Sequence, residues 1–127
     1  MTQKILIIDD EAHIRRLLER TLMYLEDDDV DLLTAQDGAE GLALILEEQP
    51  DLVFLDVMMP KMNGFEVCQT VKQTPAVESI YIVMLTAKGQ EFDKTKGEAV
   101  GADVYMTKPF DPDEIEALAE RVLRLDT

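Results

Sequence analysis

Lys4-Ile-Leu-Ile-Ile-Asp-Asp-Glu11 sets four consecutive aliphatic residues directly against three acids. The run Ile5 to Ile8 is too short for a helix, and its aliphatic character on both faces suits a strand buried inside a parallel sheet. The same event recurs along the chain. Asp51-Leu-Val-Phe-Leu55 runs into Asp56, Ile80-Tyr-Ile-Val-Met-Leu85 into Thr86, and Val104-Tyr-Met106 is followed closely by Lys108. If these runs are parallel strands of one sheet, their carboxyl ends share an edge. Asp10, Asp56, Thr86 and Lys108 then converge, and carboxylates beside a hydroxyl and an ammonium suit a divalent cation and a phosphoryl group.

The intervening segments read as helices. After the first strand, Ile14, Leu17, Leu18, Leu22 and Leu25 fall on one face, with Arg15, Arg16, Glu19 and Arg20 opposite. Leu32 to Ala35 is a short second strand. Asp37-Gly-Ala-Glu40 opens a second helix as an acidic N-cap followed three residues later by Glu. Its buried face reads as Ala39, Leu42, Ala43 and Leu46, and Gln49-Pro50 stops it. Residues 51–55 are the third strand. Lys61-Met-Asn-Gly64 turns the chain into a third helix carrying Phe65, Cys68 and Val71 inward. The fourth strand, 80–85, leads to a fourth helix over 91–100 whose apolar stripe is thin (Phe92, Ala99, Val100), which makes it a lightly anchored element. Gly101 ends it. After the fifth strand, Val104 to Met106, Asp111-Pro-Asp-Glu114 opens the last helix, with Ile115, Leu118, Ala119 and Val122 inward. Five strands alternating with five helices make an open α/β sheet with right-handed crossovers and helices on both faces. Ligands of such sheets lie beyond the carboxyl ends of the strands, where the strand order reverses.

Length and composition narrow the function. The 127 residues are expected to form one domain, 1–127, with 46% hydrophobic and 31% charged residues as in ordinary globular proteins. No apolar stretch approaches a membrane span, and Ile5 to Ile8 meets acids too soon for a signal peptide. The single cysteine, Cys68, cannot form an internal disulfide and reads as core; a cytoplasmic location is expected. A net charge of -15 argues against direct nucleic-acid binding, which needs a basic face. The acidic run Glu26 to Asp29, with Asp31, reads as a solvated loop. His13, the one histidine, reads as a partly exposed helix residue, and Met58, Met59 and Met62 as turn packing.

Asp9, Asp10 and Asp56 together would be costly, on the order of 4 kcal/mol for each close pair at an effective dielectric near 20. A cation offsets that, and all-oxygen ligands point to Mg2+ or Mn2+. Lys108 offers a mobile charge and Thr86 a hydroxyl for phosphoryl oxygens. Asp56, on what should be a central strand, is the natural nucleophile for an acyl phosphate. Taken singly, Asp9-Asp10 also reads as a cap for the first helix and Asp56 as a turn residue. Two other activities suit the architecture. A Mg2+-dependent phosphohydrolase with an Asp nucleophile would want an acid two residues after Asp56, where Met58 stands. A flavin-binding module would want a small-residue phosphate loop where Asp9-Asp10-Glu11 stands.

Four motifs in order carry a family resemblance: Ile-Ile-Asp-Asp-Glu (7–11), Leu-Asp-Val-Met-Met-Pro-Lys-Met-Asn-Gly (55–64), Leu-Thr-Ala (85–87) and Gly-Ala-Asp-Val-Tyr-Met-Thr-Lys-Pro-Phe (101–110). Through them the chain resembles, over essentially its whole length, the receiver domain of bacterial two-component response regulators, in particular single receivers of the chemotaxis type. That resemblance implies a flavodoxin-like, doubly wound five-stranded parallel sheet of order 2-1-3-4-5 with five helices. It implies that Asp56 accepts a phosphoryl group from the phosphohistidine of a histidine kinase or phosphotransfer protein, in a switch rather than a turnover enzyme. Asp10 and Asp56 would ligate Mg2+ with the main-chain carbonyl of Met58, Asp9 acting through water. Lys108 would contact the phosphoryl group, and the Lys108–Pro109 bond would be cis. Thr86 and Tyr105 would be the switch pair, read out on the fourth helix, fifth strand and fifth helix by a downstream partner or output domain. Met58 and Lys88 flank the route of an attacking water in this family and neither can orient it, so slow self-dephosphorylation is expected. Receivers that dimerise to drive winged-helix DNA binding typically carry Asp where Val104 stands and basic residues where Leu118 and Glu120 stand. Those departures favour a phosphorelay shuttle or a protein-binding regulator, monomeric or dimerising on phosphorylation.

Overall fold

The computed structural model describes residues 2–87 and 99–123. In chain order it contains β1 (Gln3–Ile8), α1 (Ala12–Leu22), a 3-10 turn (Met23–Asp28), β2 (Val30–Ala35), α2 (Gly38–Glu48), β3 (Leu52–Asp56), α3 (Gly64–Lys72), β4 (Tyr81–Ala87), β5 (Val104–Lys108) and α4 (Pro112–Leu123). The strands form one five-stranded sheet in the order β2-β1-β3-β4-β5, every neighbouring pair parallel. That is the expected flavodoxin-like order. Four α-helices are seen among the described residues, not five. The helix expected over 91–100 lies, up to residue 98, outside them, as does Lys88.

Alternation along the strands builds two cores. Leu6, Ile8, Val53, Leu55, Ile82 and Met84 face α2 and α3 and meet Ile45, Phe65, Val67, Cys68 and Val71. Ile5, Ile7, Leu52, Phe54, Val83 and Leu85 face α1 and α4, against Leu18, Leu22, Leu25, Ile115, Leu118 and Ala119. β1 and β3 are buried on both faces, which is why both read as unbroken aliphatic runs. Each fully buried Leu, Ile or Phe contributes roughly 1.5–3 kcal/mol of transfer free energy.

Two helical faces differ from the periodicity. On α1, Leu18 and Leu22 are buried, but Leu17 is 41% exposed, and Leu25 reaches the core from the 3-10 turn. On α2, Ala39, Ala43 and Leu46 are exposed and Leu42 is half-buried; Gly38, Gly41 and Ile45 make the buried edge. Glycine explains the rotation. A Cβ on Gly41 would press into the Ile8 side chain, and one on Gly38 would overlap the Met62 carbonyl. Lacking those carbons, α2 lays its backbone on the sheet and on the loop after β3, with Ile45 in the core and Ala39, Ala43 and Leu46 turned to solvent.

Caps hold the helix starts near the sheet edge. The Asp37 carboxylate accepts the Glu40 N–H (2.8 Å) at the head of α2. Asn63 and Glu66 form a reciprocal capping box at α3 (3.0 and 3.1 Å), a device worth about 1 kcal/mol. Asp111 accepts the Asp113 N–H (2.9 Å) just before Pro112 opens α4.

Candidate functional site

Register brings the strand ends level. Ile8 pairs with Leu55, so Asp9 emerges beside Asp56; Asp56 pairs with Leu85, and Ala87 with Lys108. One ligand oxygen each from Asp9, Asp10 and Asp56 lies within 4.8 Å of the others, close enough to hold one metal ion. Asp9 is fully buried and Asp56 is 5% exposed, while Asp10 faces solvent. Two dry carboxylates and one wet one make a site open on one side, as a magnesium ion that keeps water and phosphate ligands requires.

Lys108 reaches the same point. Its Nζ lies 2.9 Å from Asp9 Oδ2, 3.2 Å from Asp56 Oδ1 and 3.5 Å from Glu11 Oε1. The ammonium thus supplies part of the counter-charge that the sequence argument assigned to a metal alone. It does not supply enough. Burial pushes the Asp56 carboxyl up to about 7, with the Asp9 charge and the Asp10 carboxyl adding to the rise against the pull of Lys108. Asp9 is also raised, chiefly by burial, against its hydrogen bonds from Lys108 and the Glu11 N–H. For Lys108, burial works to lower the pKa, but the bond to Asp9 and the charges of Asp56 and Asp9 outweigh it and leave it raised. Charge is short by at least one positive unit.

The remaining expected residues fall as follows. Thr86, next to the last residue of β4, is buried, at 4% exposure. Tyr105 is half-buried on β5, paired with Met84 and packed on the α2/α3 side of the sheet. Met58, two residues beyond Asp56, is 63% exposed. The Lys108–Pro109 peptide is cis. His13 lies outside the pocket, exposed, 3.6 Å from Glu11. The capping role for Asp9-Asp10 is not what the structure shows. Glu11 occupies the N-cap of α1 without a side-chain bond, and the Asp9 carboxylate is shared between the Glu11 N–H and Lys108.

Periodicity overlooked Arg15 by putting it on the solvated face of α1. Its Nη1 donates to the main-chain carbonyl of Asp9 at 2.7 Å. The available signal was directional, since helical side chains lean toward the N-terminus and carry an arginine of the first turns back over the preceding loop.

Residues 5–120 match the family model of the response regulator receiver domain. The chain belongs to that family. The receiver is 48% identical, over 98% of its length, to the alkaline phosphatase synthesis transcriptional regulatory protein PhoP of Bacillus subtilis, of which it covers 50%. It is 40% identical over 88% of its length to protein PilG of Pseudomonas aeruginosa, covering 81% of that protein. Among solved structures, chemotaxis response regulator CheY4 of Vibrio cholerae superposes with a TM-score of 0.83 at 34% identity, over 96% of this chain and 99% of that one.

Receivers are phosphorylation-activated switches of two-component signalling that work with histidine kinases and output domains, and they typically bind Mg2+. Among the described residues no helix is long and apolar enough to cross a membrane. The receiver spans about half the length of the curated transcriptional regulators it matches. Those relatives are partly at odds with the expectation of no direct nucleic-acid contact, since the acidity behind it describes only the half of such proteins matched here.

Proposed function

We propose that this receiver, residues 1–127, takes a phosphoryl group from the phosphohistidine of a histidine kinase or phosphotransfer protein onto Asp56. The observation that carries the reading is the Asp56 carboxylate, nearly buried, 3.2 Å from Lys108 Nζ and within one cluster with Asp9 and Asp10. An Asp56 oxygen attacks phosphorus as the phosphorus–nitrogen bond breaks, and the departing imidazole nitrogen takes up a proton. Asp10 and Asp56, with the Met58 carbonyl, are the residues to hold Mg2+, Asp9 acting through water. When bound, Mg2+ supplies the missing positive charge and screens the incoming phosphoryl oxygens. Lys108 follows the new charge, exchanging carboxylate contacts for a phosphoryl oxygen. Thr86 donates its hydroxyl to another, and Tyr105 turns inward behind it. These movements need only bias two arrangements of the surface around β5 and α4 that differ by a few kcal/mol.

Identity to a transcriptional regulator supports an output tied to gene control, reached through another domain or protein. With a net charge of -15 this chain itself would contact protein rather than nucleic acid. A cytoplasmic location and a monomer, or a dimer formed on phosphorylation, accord with this reading. The test is incubation with a small acyl-phosphate donor followed by intact-mass spectrometry, with and without a chelator. A Mg2+-dependent, hydroxylamine-labile adduct is expected, and no adduct with any donor or kinase would refute the proposal.

Phosphoryl lifetime follows from Met58, whose exposed thioether cannot orient an attacking water. Met58→Asn supplies an amide that can, and decay of the adduct should quicken by at least about threefold. An unchanged decay rate would remove Met58 from the account.

A further inference from the structure

We propose that Arg15 is a positioning residue of the acidic pocket, holding the Asp9–Asp10 turn so that its carboxylates converge on Asp56. This rests on the metal site proposed above. Asp9 is fully buried and, besides the Lys108 ammonium on its Oδ2 at 2.9 Å, is tied down by three further hydrogen bonds. Its N–H donates to the Ala35 carbonyl at 3.2 Å, its carboxylate accepts the Glu11 N–H at 2.9 Å, and its carbonyl accepts Arg15 Nη1 at 2.7 Å. The first tie sets where β1 ends and the second shapes the entry into α1. Only the third fixes the plane of the Asp9–Asp10 peptide, and that plane sets the direction in which the Asp10 carboxylate leaves the chain. Arg15 is itself anchored, its N–H bonded to the Glu11 carbonyl at 3.2 Å. The guanidinium is therefore a strut from α1 to the loop carrying two of the three acids.

Charge and position make opposite predictions. A guanidinium near a cation site repels the cation, so on charge alone its loss should tighten Mg2+ binding. A strut acts the other way. Without Arg15 the Asp9 carbonyl must find water or another donor, the peptide turns, and Asp10 leaves the geometry shared with Asp56. Groups that orient a metal site from outside its ligands typically change metal affinity by 10–100-fold.

The experiment is a Mg2+ titration followed by backbone amide shifts of residues 9, 10, 56 and 57 in the otherwise intact chain. Arg15→Met, which keeps the aliphatic stem, should raise the Mg2+ dissociation constant by about tenfold. Arg15→Gln, too short to reach the carbonyl, should match it and guards against a folding defect in either variant. Arg16→Met makes the same charge change on an exposed side chain of α1 and should leave binding equal or slightly tighter. Equal or tighter binding in Arg15→Met and Arg15→Gln would overturn the strut while leaving the metal site intact, provided Asp10→Asn weakens binding. No Mg2+ response in the unsubstituted chain would overturn both.

Discussion

Lys108→Ala slows phosphoryl uptake from an acyl-phosphate donor by at least about 100-fold, the usual loss when a preorganised charge facing the reacting group is removed. The same substitution tightens Mg2+ binding. Both effects come from one position, since Nζ lies 2.9 Å from Asp9 and 3.2 Å from Asp56. On the proposed function the ammonium competes with a cation for those carboxylates before transfer and neutralises phosphoryl oxygens during it. Removing it takes away the competitor and the helper together. A variant that was merely misfolded would lose metal binding and phosphorylation alike, so opposite movement of the two readouts is diagnostic. Labelling kinetics beside a Mg2+ titration would decide the matter, and an unchanged rate of uptake would exclude Lys108 from the chemistry.

Asp56→Asn abolishes uptake and makes the metal-free protein more stable, by on the order of 2–4 kcal/mol at pH 8. The Asp56 pKa is raised by burial, and further by Asp9, to about 7 in the fold, against an ordinary value of 3.8. Below pH 4 the carboxyl is neutral folded and unfolded and costs nothing. Between pH 4 and 7 the unfolded chain releases its proton while the folded one retains it, so stability falls as pH rises, and the loss levels off above 7. Asparagine has no such titration. The gap between variant and parent should therefore open from pH 4, widen to pH 7 and then stay flat, and Mg2+ should narrow it by stabilising the parent. Urea unfolding across that range, with and without Mg2+, measures both. A gap independent of pH would mean that Asp56 is not held against its charge.

Much of this was legible in the chain because strand ends and pocket residues are the same residues. Ile5 to Ile8 reads as a buried strand, and the acid pair after it, which singly could be a helix cap, gains its meaning from the same event recurring at other strand ends. The same holds for Leu52 to Leu55 with Asp56, and register then brings these acids together without further instruction. Four motifs in order named the family, and that rests on side-chain chemistry rather than on periodicity.

What was not legible depended on backbone contact or on side-chain direction. The face of α2 was misjudged because hydrophobic periodicity gives glycine no weight, whereas Gly38 and Gly41 decide which edge can touch the sheet. Arg15 looked solvated because periodicity assigns a face and says nothing about where a long side chain reaches. The ion pairs of Lys108 with Asp9 and Asp56 depend on where a long side chain reaches, which strand periodicity does not give.

The central claim, that Asp56 alone among the clustered acids carries the phosphoryl group, is open to direct chemical mapping. Borohydride reduces an acyl phosphate to an alcohol and so converts the modified aspartate to homoserine. After donor treatment with Mg2+, reduction and peptide sequencing by mass spectrometry, homoserine is predicted at position 56, with Asp9 and Asp10 unchanged. Homoserine at Asp9 or Asp10, or a reducible adduct surviving in Asp56→Asn, would contradict the account.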